Sequence, residues 1–202
     1  MKFKKKIRAM RILVCLLFVF IGFNSLSQSK IDTGVEFPMN KETGKYEFMC
    51  IDTVKGKLAP ELYELAKKFL IYRFNDKDFF IDDKNLKIGD NGNFPVTFKL
   101  PSMKFNISYT SVFSIVIQFK DSRYRVTLTD FKINTNANAT TSEVNLEDFF
   151  INNVSVGAGK KYGRNMNVAV AEVVRKQVDL LFSDLSKYLK EGNTTSDEND
   201  DW

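Results

Sequence analysis

The sequence predicts an α+β domain: one antiparallel sheet of about five strands, ordered β-α-β-β-β-β-α along the chain and covered on one face by two helices. Three observations predict it. From Met103 to Phe119 nearly every odd position is apolar (Met103, Phe105, Ile107, Tyr109, Phe113, Ile115, Ile117, Phe119), while the even ones are mostly polar. A period of two held that long marks a sheet with one buried face and one wet face. Two further segments, one after Pro60 and one after Val170, repeat apolar residues at the spacing of an amphipathic helix. The 19 phenylalanines supply bulk for a core between sheet and helices.

The first 27 residues stand apart from this domain. Lys2, Lys4, Lys5, Lys6, Arg8 and Arg11 come without an acid, and an apolar run from Ile12 to Phe23 follows, broken only by Gly22. Asn24-Ser25-Leu26-Ser27 then places small residues at the −3 and −1 positions before Gln28. These are the three parts of a secretory signal peptide, so residues 1–27 are expected to be cleaved on export. About twelve apolar residues are too few for the roughly 20 that span a bilayer. Cys15 lies inside the apolar run rather than after it, which argues against a lipid anchor.

Removing the leader changes the charge. The whole chain has 30 basic and 25 acidic residues, a net charge of +5; without the six leader bases, 24 stand against 25, or −1. A near-neutral mature chain gives no reason to expect a nucleic-acid partner. Its 175 residues suit a single domain over 28–192, with residues 193–202 as an acidic, polar tail expected to be disordered. Cys50 is the only cysteine after the leader, so it has no internal disulfide partner and reads as a buried thiol.

Residues 28–45 read as an extended lead-in, with Phe37-Pro38 and a turn over 40–44. Tyr46 to Thr53 alternates and predicts a strand, which Lys55-Gly56-Lys57 breaks. Pro60 suits a first helical turn, and Leu62, Leu65, Ala66 and Phe69 form one stripe of a helix running to about Phe74. Short strands follow at Asp78–Ile81, Leu86–Ile88 and Phe94–Leu100, with Asp90-Asn91-Gly92-Asn93 expected as the turn between the last two. The alternating segment 103–119 is long enough to require a bend or break, expected at Ser111 where the apolar series lapses. Asp121-Ser122 turns the chain, and Tyr124, Val126 and Leu128 resume the alternation. Phe131 and Ile133 carry the opposite parity, which predicts a bulge near Asp130. A polar loop is expected over Asn134–Thr141, a short helix over Val144–Ile151 and a glycine-containing loop over Asn152–Arg164. Val170, Val173, Val174, Val178, Leu181, Phe182, Leu185, Tyr188 and Leu189 then make the stripe of a long helix, which Gly192 ends.

Three segments together resemble a known family. Phe37-Pro38 with Thr43-Gly44-Lys45, the helix Glu61-Leu62-Tyr63 to Ala66-Lys67-Lys68-Phe69, and Ile117-Gln118-Phe119-Lys120-Asp121-Ser122-Arg123-Tyr124-Arg125 are similar to exported Bacteroidota proteins of a domain-of-unknown-function family. The resemblance spans roughly residues 36–133 and implies a TATA-binding-protein-like (TBP-like) fold. Its most specific piece is the Lys-Asp-x-Arg-Tyr-Arg turn, in which Ser122 stands where the family prefers glycine. The family brings a fold and an export habit but no activity and no functional residues.

The sequence contains no histidine. That excludes Ser-His-Asp and Cys-His nucleophiles and histidine-based zinc sites, and one mature cysteine excludes thiolate clusters. Acid–base chemistry would rest on carboxylates: Asp76 with Asp78, Asp82 with Asp83, or Glu147 with Asp148. Adjacent acids do not establish the separation across a cleft that glycoside hydrolysis needs, and they read first as solvated turn residues. Asp76-Lys77-Asp78 and Asp90-Asn91-Gly92-Asn93 fall short of a calcium loop. Gly157-Ala158-Gly159-Lys160-Lys161-Tyr162-Gly163 fits neither the dinucleotide nor the phosphate-loop pattern. Lys160, Lys161 and Arg164 form a candidate anion patch before the last helix, against the plainer reading of a solvated loop. No cofactor or metal is implied. The expectation is a non-catalytic module of the cell envelope that binds a protein, a glycan or a small ligand; the alternative is a carboxylate-based hydrolase acting on an envelope or extracellular substrate.

Overall fold

The computed structural model describes residues 34–75, 79–101, 103–137, 140–151 and 163–192. The expected signal peptide, Asp76-Lys77-Asp78, the glycine-containing stretch 152–162 and the acidic tail expected to be disordered lie outside the described residues. In chain order the elements are β1 (Phe48–Thr53), α1 (Ala59–Phe74), β2 (Phe80–Asp82), β3 (Lys87–Phe98), β4 (Ile107–Lys120), β5 (Arg123–Ala137), β6 (Thr140–Asn145), α2 (Leu146–Ile151) and α3 (Gly163–Glu191). The six strands form one antiparallel sheet in the order β1-β5-β4-β3-β2. β6 also pairs with β5, so that β1 and β6 share its outer edge end to end.

β4 and β5 are joined by the two-residue turn Asp121-Ser122, with Lys120 opposite Arg123. Ser122 takes a φ of 60°, the left-handed region where glycine is at ease. Backbone bonds fasten this turn to the loop after β1: Ser122 N–H donates to Lys57 O at 2.9 Å, and Val54 N–H donates to Ser122 O at 2.8 Å. Asp121 accepts the Ala59 N–H at 2.9 Å, satisfying one of the free donors at the start of α1. Asp130, at φ 55°, sits where β5 has one residue more than β4, since Val112 pairs with Lys132 but Ser114 with Thr129. The expected bulge is therefore present. It is what lets Val126, Leu128, Phe131 and Ile133 all reach the core.

Four expectations from sequence are corrected. Asp90-Asn91-Gly92-Asn93 is not a turn but the middle of β3, hydrogen-bonded in register from Asp90↔Ile115 to Asn93↔Val112. A Cβ on Gly92 would lie 2.6 Å from Phe113 Cζ and 2.7 Å from Phe74 Cζ, so this glycine makes room for two rings rather than for a reversal. Asn134–Thr141 is not a loop: β5 continues to Ala137 and pairs with β6 from Lys132↔Asn145 to Ala137↔Thr140. Backbone pairing alone defines that hairpin end, and a run of Asn and Thr gives no apolar period to reveal it. Finally, β4 starts only at Ile107, because pairing with β3 ends at Phe98↔Ile107; Phe105 lies in the connection and is 66% exposed. Ser111 does not interrupt β4 and is buried.

Helices and core lie on one face. α1 buries Leu62, Tyr63, Ala66, Phe69 and Leu70, and α3 buries Val170, Val174, Val178, Leu181, Leu185 and Leu189, against Ile115, Ile117, Val126 and Leu128 of the sheet. α1 and α3 meet edge to face at Phe69 and Tyr188, ring centroids 5.5 Å apart. Phe74, Phe113, Phe131, Phe48, Phe37 and Phe150 form a continuous chain of ring contacts along the sheet. Each such side chain fully removed from water contributes about 1.5–3 kcal/mol before entropy is counted. Gly192, at φ 75°, closes α3 by donating its N–H to Tyr188 O at 2.9 Å.

Candidate functional site

The even positions of β4 and their partners make up the other face of the sheet, which no helix covers among the described residues. Strand pairing arranges its residues in rows. One row runs Ile51, Arg125, Gln118, Lys87 and Asp82 across five strands. The next toward the sheet's middle runs Met49, Thr127, Val116, Gly89 and Phe80. At the hairpin end, Thr53, Arg123 and Lys120 make a third. Ile51 is 65% exposed, Phe80 59% and Met49 51%, so this face shows large apolar side chains to solvent. Lys87 lies over the Phe80 ring, 5.9 Å from its centroid.

At the β4–β5 turn the face hollows into a cleft of about 310 Å³, lined by Ile51, Asn85, Gln118, Lys120, Arg123 and Arg125 over Phe119 and Tyr124. The two-residue turn explains why three cations gather here. Side chains alternate faces along each strand, so Lys120 and Arg123 flank the turn on the open side and Arg125 follows one step along. Phe119 and Tyr124, one residue away, go to the core. Arg125 donates from Nε to Gln118 Oε1 at 3.0 Å and also bonds that oxygen through Nη2. Among the described residues, none of Lys120, Arg123 and Arg125 forms an ion pair.

Beneath the cleft, on the helix side, Asp52 binds α3 to β1. It accepts from Ser186 Oγ at 2.6 Å and from Lys190 Nζ at 2.7 Å. Partial burial works to raise its pKa, but the bonds from Lys190, Ser186 and the Thr53 N–H outweigh it and hold the carboxyl below its ordinary value. The neighbouring Tyr124 hydroxyl is pushed well up, chiefly by burial. Burial, reinforced by Asp52, also raises the half-buried Cys50 thiol, which disfavours the reactive thiolate.

Of the carboxylates singled out from sequence, Asp76 and Asp78 lie outside the described residues, and Asp82, Asp83 and Glu147 serve the fold. Asp82 accepts the Asn85 N–H at 3.1 Å and its amide at 2.7 Å, shaping the β2–β3 turn. Asp83 accepts the Tyr63 hydroxyl at 2.6 Å, and Glu147 accepts the Tyr46 N–H at 2.6 Å. Among the described residues no group of three or more acids and cysteines is placed to hold a metal ion, and no helix is long and apolar enough to cross a membrane. Lys160 and Lys161 lie outside the described residues; Arg164 occupies the first turn of α3, which begins at Gly163. A second, shallower concavity of about 450 Å³ lies along α3, where Arg175 and Asp179 are paired at 3.1 Å. Reading the sequence picked out Lys120-Asp121-Ser122-Arg123-Tyr124-Arg125 for its resemblance and not as a site. The signal was there: cations at alternate positions on both sides of a two-residue turn fall on one face.

The sequence matches no protein-family model and no curated protein. Two solved structures share the fold. One is a TBP-like protein from Parabacteroides distasonis, 14% identical, covering 76% of this chain and 97% of that one, with a TM-score of 0.59. The other is a DUF4468 family protein from Bacteroides ovatus, 15% identical, covering 76% and 90%, also with a TM-score of 0.59. The chain therefore has the TBP-like α+β fold that the resemblance implied.

Proposed function

We propose that the protein is an exported, non-catalytic binding module of the cell envelope that meets a protein, glycan or small-ligand partner through the open face of its sheet. The observation that carries this reading is the one-sidedness of the sheet. Helices cover one face, while the other leaves Met49, Ile51 and Phe80 more than half exposed beside Lys87, Lys120, Arg123 and Arg125. Apolar side chains interleaved with cations are what a contact surface needs: area to bury, and charge to orient the partner. The leader supports export, with the mature chain starting at Gln28. No observation favours the hydrolase alternative, since Asp82, Asp83 and Glu147 are engaged in turn and backbone hydrogen bonds.

Cross-linking the native protein in its own envelope, followed by affinity capture, tests the reading. A partner should be retained by the wild type and lost from M49S/I51S/F80S, with the two proteins melting at similar temperatures. N-terminal sequencing of the captured protein should begin at Gln28. Equal capture by the variant, or a protein retained in the cytoplasm with Met1 intact, would overturn the proposal.

A further inference from the structure

The cleft at the β4–β5 turn carries one step more, resting on the reading of the open face as a contact surface: we infer that it is an oxyanion site that takes a phosphate group. The first argument is hydrogen-bond inventory. Lysine and arginine side chains donate and never accept. Gln118 spends its carbonyl oxygen on Arg125, which leaves its NH₂ as the end able to meet a ligand. Four of the six side chains around the opening therefore offer only donors; Asn85, which gives one NH₂ hydrogen to Asp82, offers a donor and an acceptor, and Ile51 an apolar wall. A ligand fitted to such a rim is nearly all acceptor.

The second argument is electrostatic. Lys120 stands directly opposite Arg123, a like-charged cross-strand pair that is unfavourable for the sheet until an anion bridges it. Among the described residues no nearby acid forms an ion pair with it. Asp121 is turned to the Ala59 N–H, Asp52 lies on the helix side with Ser186 and Lys190, and Asp82 faces Lys87 three strands away from β5. Arg125, held by Gln118 through Nε and one Nη, has its guanidinium fixed in orientation before any ligand arrives. Three cations favour an anion that can carry more than one charge and accept from several donors at once, which selects phosphate over a single carboxylate. A volume of about 310 Å³ also leaves room for a small organic group bonded to the phosphate, against Ile51.

The test is a titration of the purified chain with glycerol phosphate at low ionic strength, followed by amide chemical shifts. Saturable shifts centred on residues 118–125 are expected, weakened about tenfold or more in R123Q and in R125Q and substantially weakened in R125K, which keeps the charge but loses the fork. Since these side chains are exposed, the variants should keep the wild-type melting temperature. Vesicles of phosphatidylglycerol, set against phosphatidylcholine, distinguish the sources. Arginine-dependent sedimentation with the former assigns a lipid headgroup, and its absence alongside glycerol phosphate binding assigns a soluble phosphate ester. Shifts no larger than those from sodium chloride at equal ionic strength, or shifts unaffected by R123Q and R125Q, would overturn the site. A module that captures no envelope partner would leave the titration unchanged, so the two readings fail separately.

Discussion

Gly92 and Ser122 are two positions where the residue type and the space or backbone around it can be tested by a single exchange. Gly92 lies on the core side of β3 with the rings of Phe113 and Phe74 where its Cβ would be. Phe113 is itself pinned between Phe94 and Phe131, centroids 5.1 and 5.5 Å away, so it has little room to withdraw. Gly92→Ala should cost about 1–3 kcal/mol by overpacking, read as a lower urea midpoint. Ser122 shows the opposite. A serine at φ 60° carries a penalty of order 1 kcal/mol that glycine lacks, partly repaid by the freedom glycine adds to the unfolded chain. Ser122→Gly should therefore raise stability by up to about 1 kcal/mol, seen as a higher melting temperature.

Elements are held together by a small number of polar ties around the same turn. Asp121 serves two elements at once, turning β4 into β5 and accepting the Ala59 N–H at the head of α1. Asp121→Ala should destabilise the protein by about 1 kcal/mol, the usual net contribution of one hydrogen bond, read as a lower urea midpoint. Asp52 ties β1 to the last turn of α3. Its carboxyl is depressed in the folded protein, so the stability it adds is complete above its unfolded pKa of about 3.9 and lost as the pH falls through the lower, folded value. Asp52→Asn should thus cost about 0.5–1.5 kcal/mol at neutral pH and progressively less below pH ~3.9, measured by denaturant unfolding at each pH. Lys45 and Asp130 also pair and depress the Asp130 carboxyl, but both side chains are exposed and the pair should add little.

At the scale of the whole molecule, one core joins the three helices to β1, β3, β4 and β5. Ile115, Ile117, Val126 and Leu128 face α1 and α3 together, and Leu185 of α3 is fully buried with them. Removing a side chain there disturbs helix and sheet at once. Leu185→Ala should cost about 2–5 kcal/mol and lower the unfolding midpoint seen by far-ultraviolet and near-ultraviolet dichroism alike. Separated transitions by the two probes would show that α3 is a detachable element rather than half of the roof. The charge that distinguishes the open face is likewise a whole-molecule property. Residues 28–202, with 24 bases against 25 acids, still gather three cations at one end of one surface, none of them in an ion pair among the described residues.

Much of this fold was legible in the order of residues. Period-two alternation from Ile107 to Phe119 and the stripes 62–69 and 170–189 follow from local geometry, since each residue's face is fixed by its own dihedral angles. The parity change from Leu128 to Phe131 even located the bulge at Asp130. What local geometry leaves open is which distant segments meet. That Gly92 makes room for two rings rather than turning the chain depends on Phe74 and Phe113, and that Asn134–Ala137 forms a strand depends on β6 pairing beside it. The cleft belongs to the same class. The sequence alone placed Lys120, Arg123 and Arg125 on a common face, but only the folding of β1 and the β2–β3 turn around them, with every nearby acid occupied elsewhere, made that face a site.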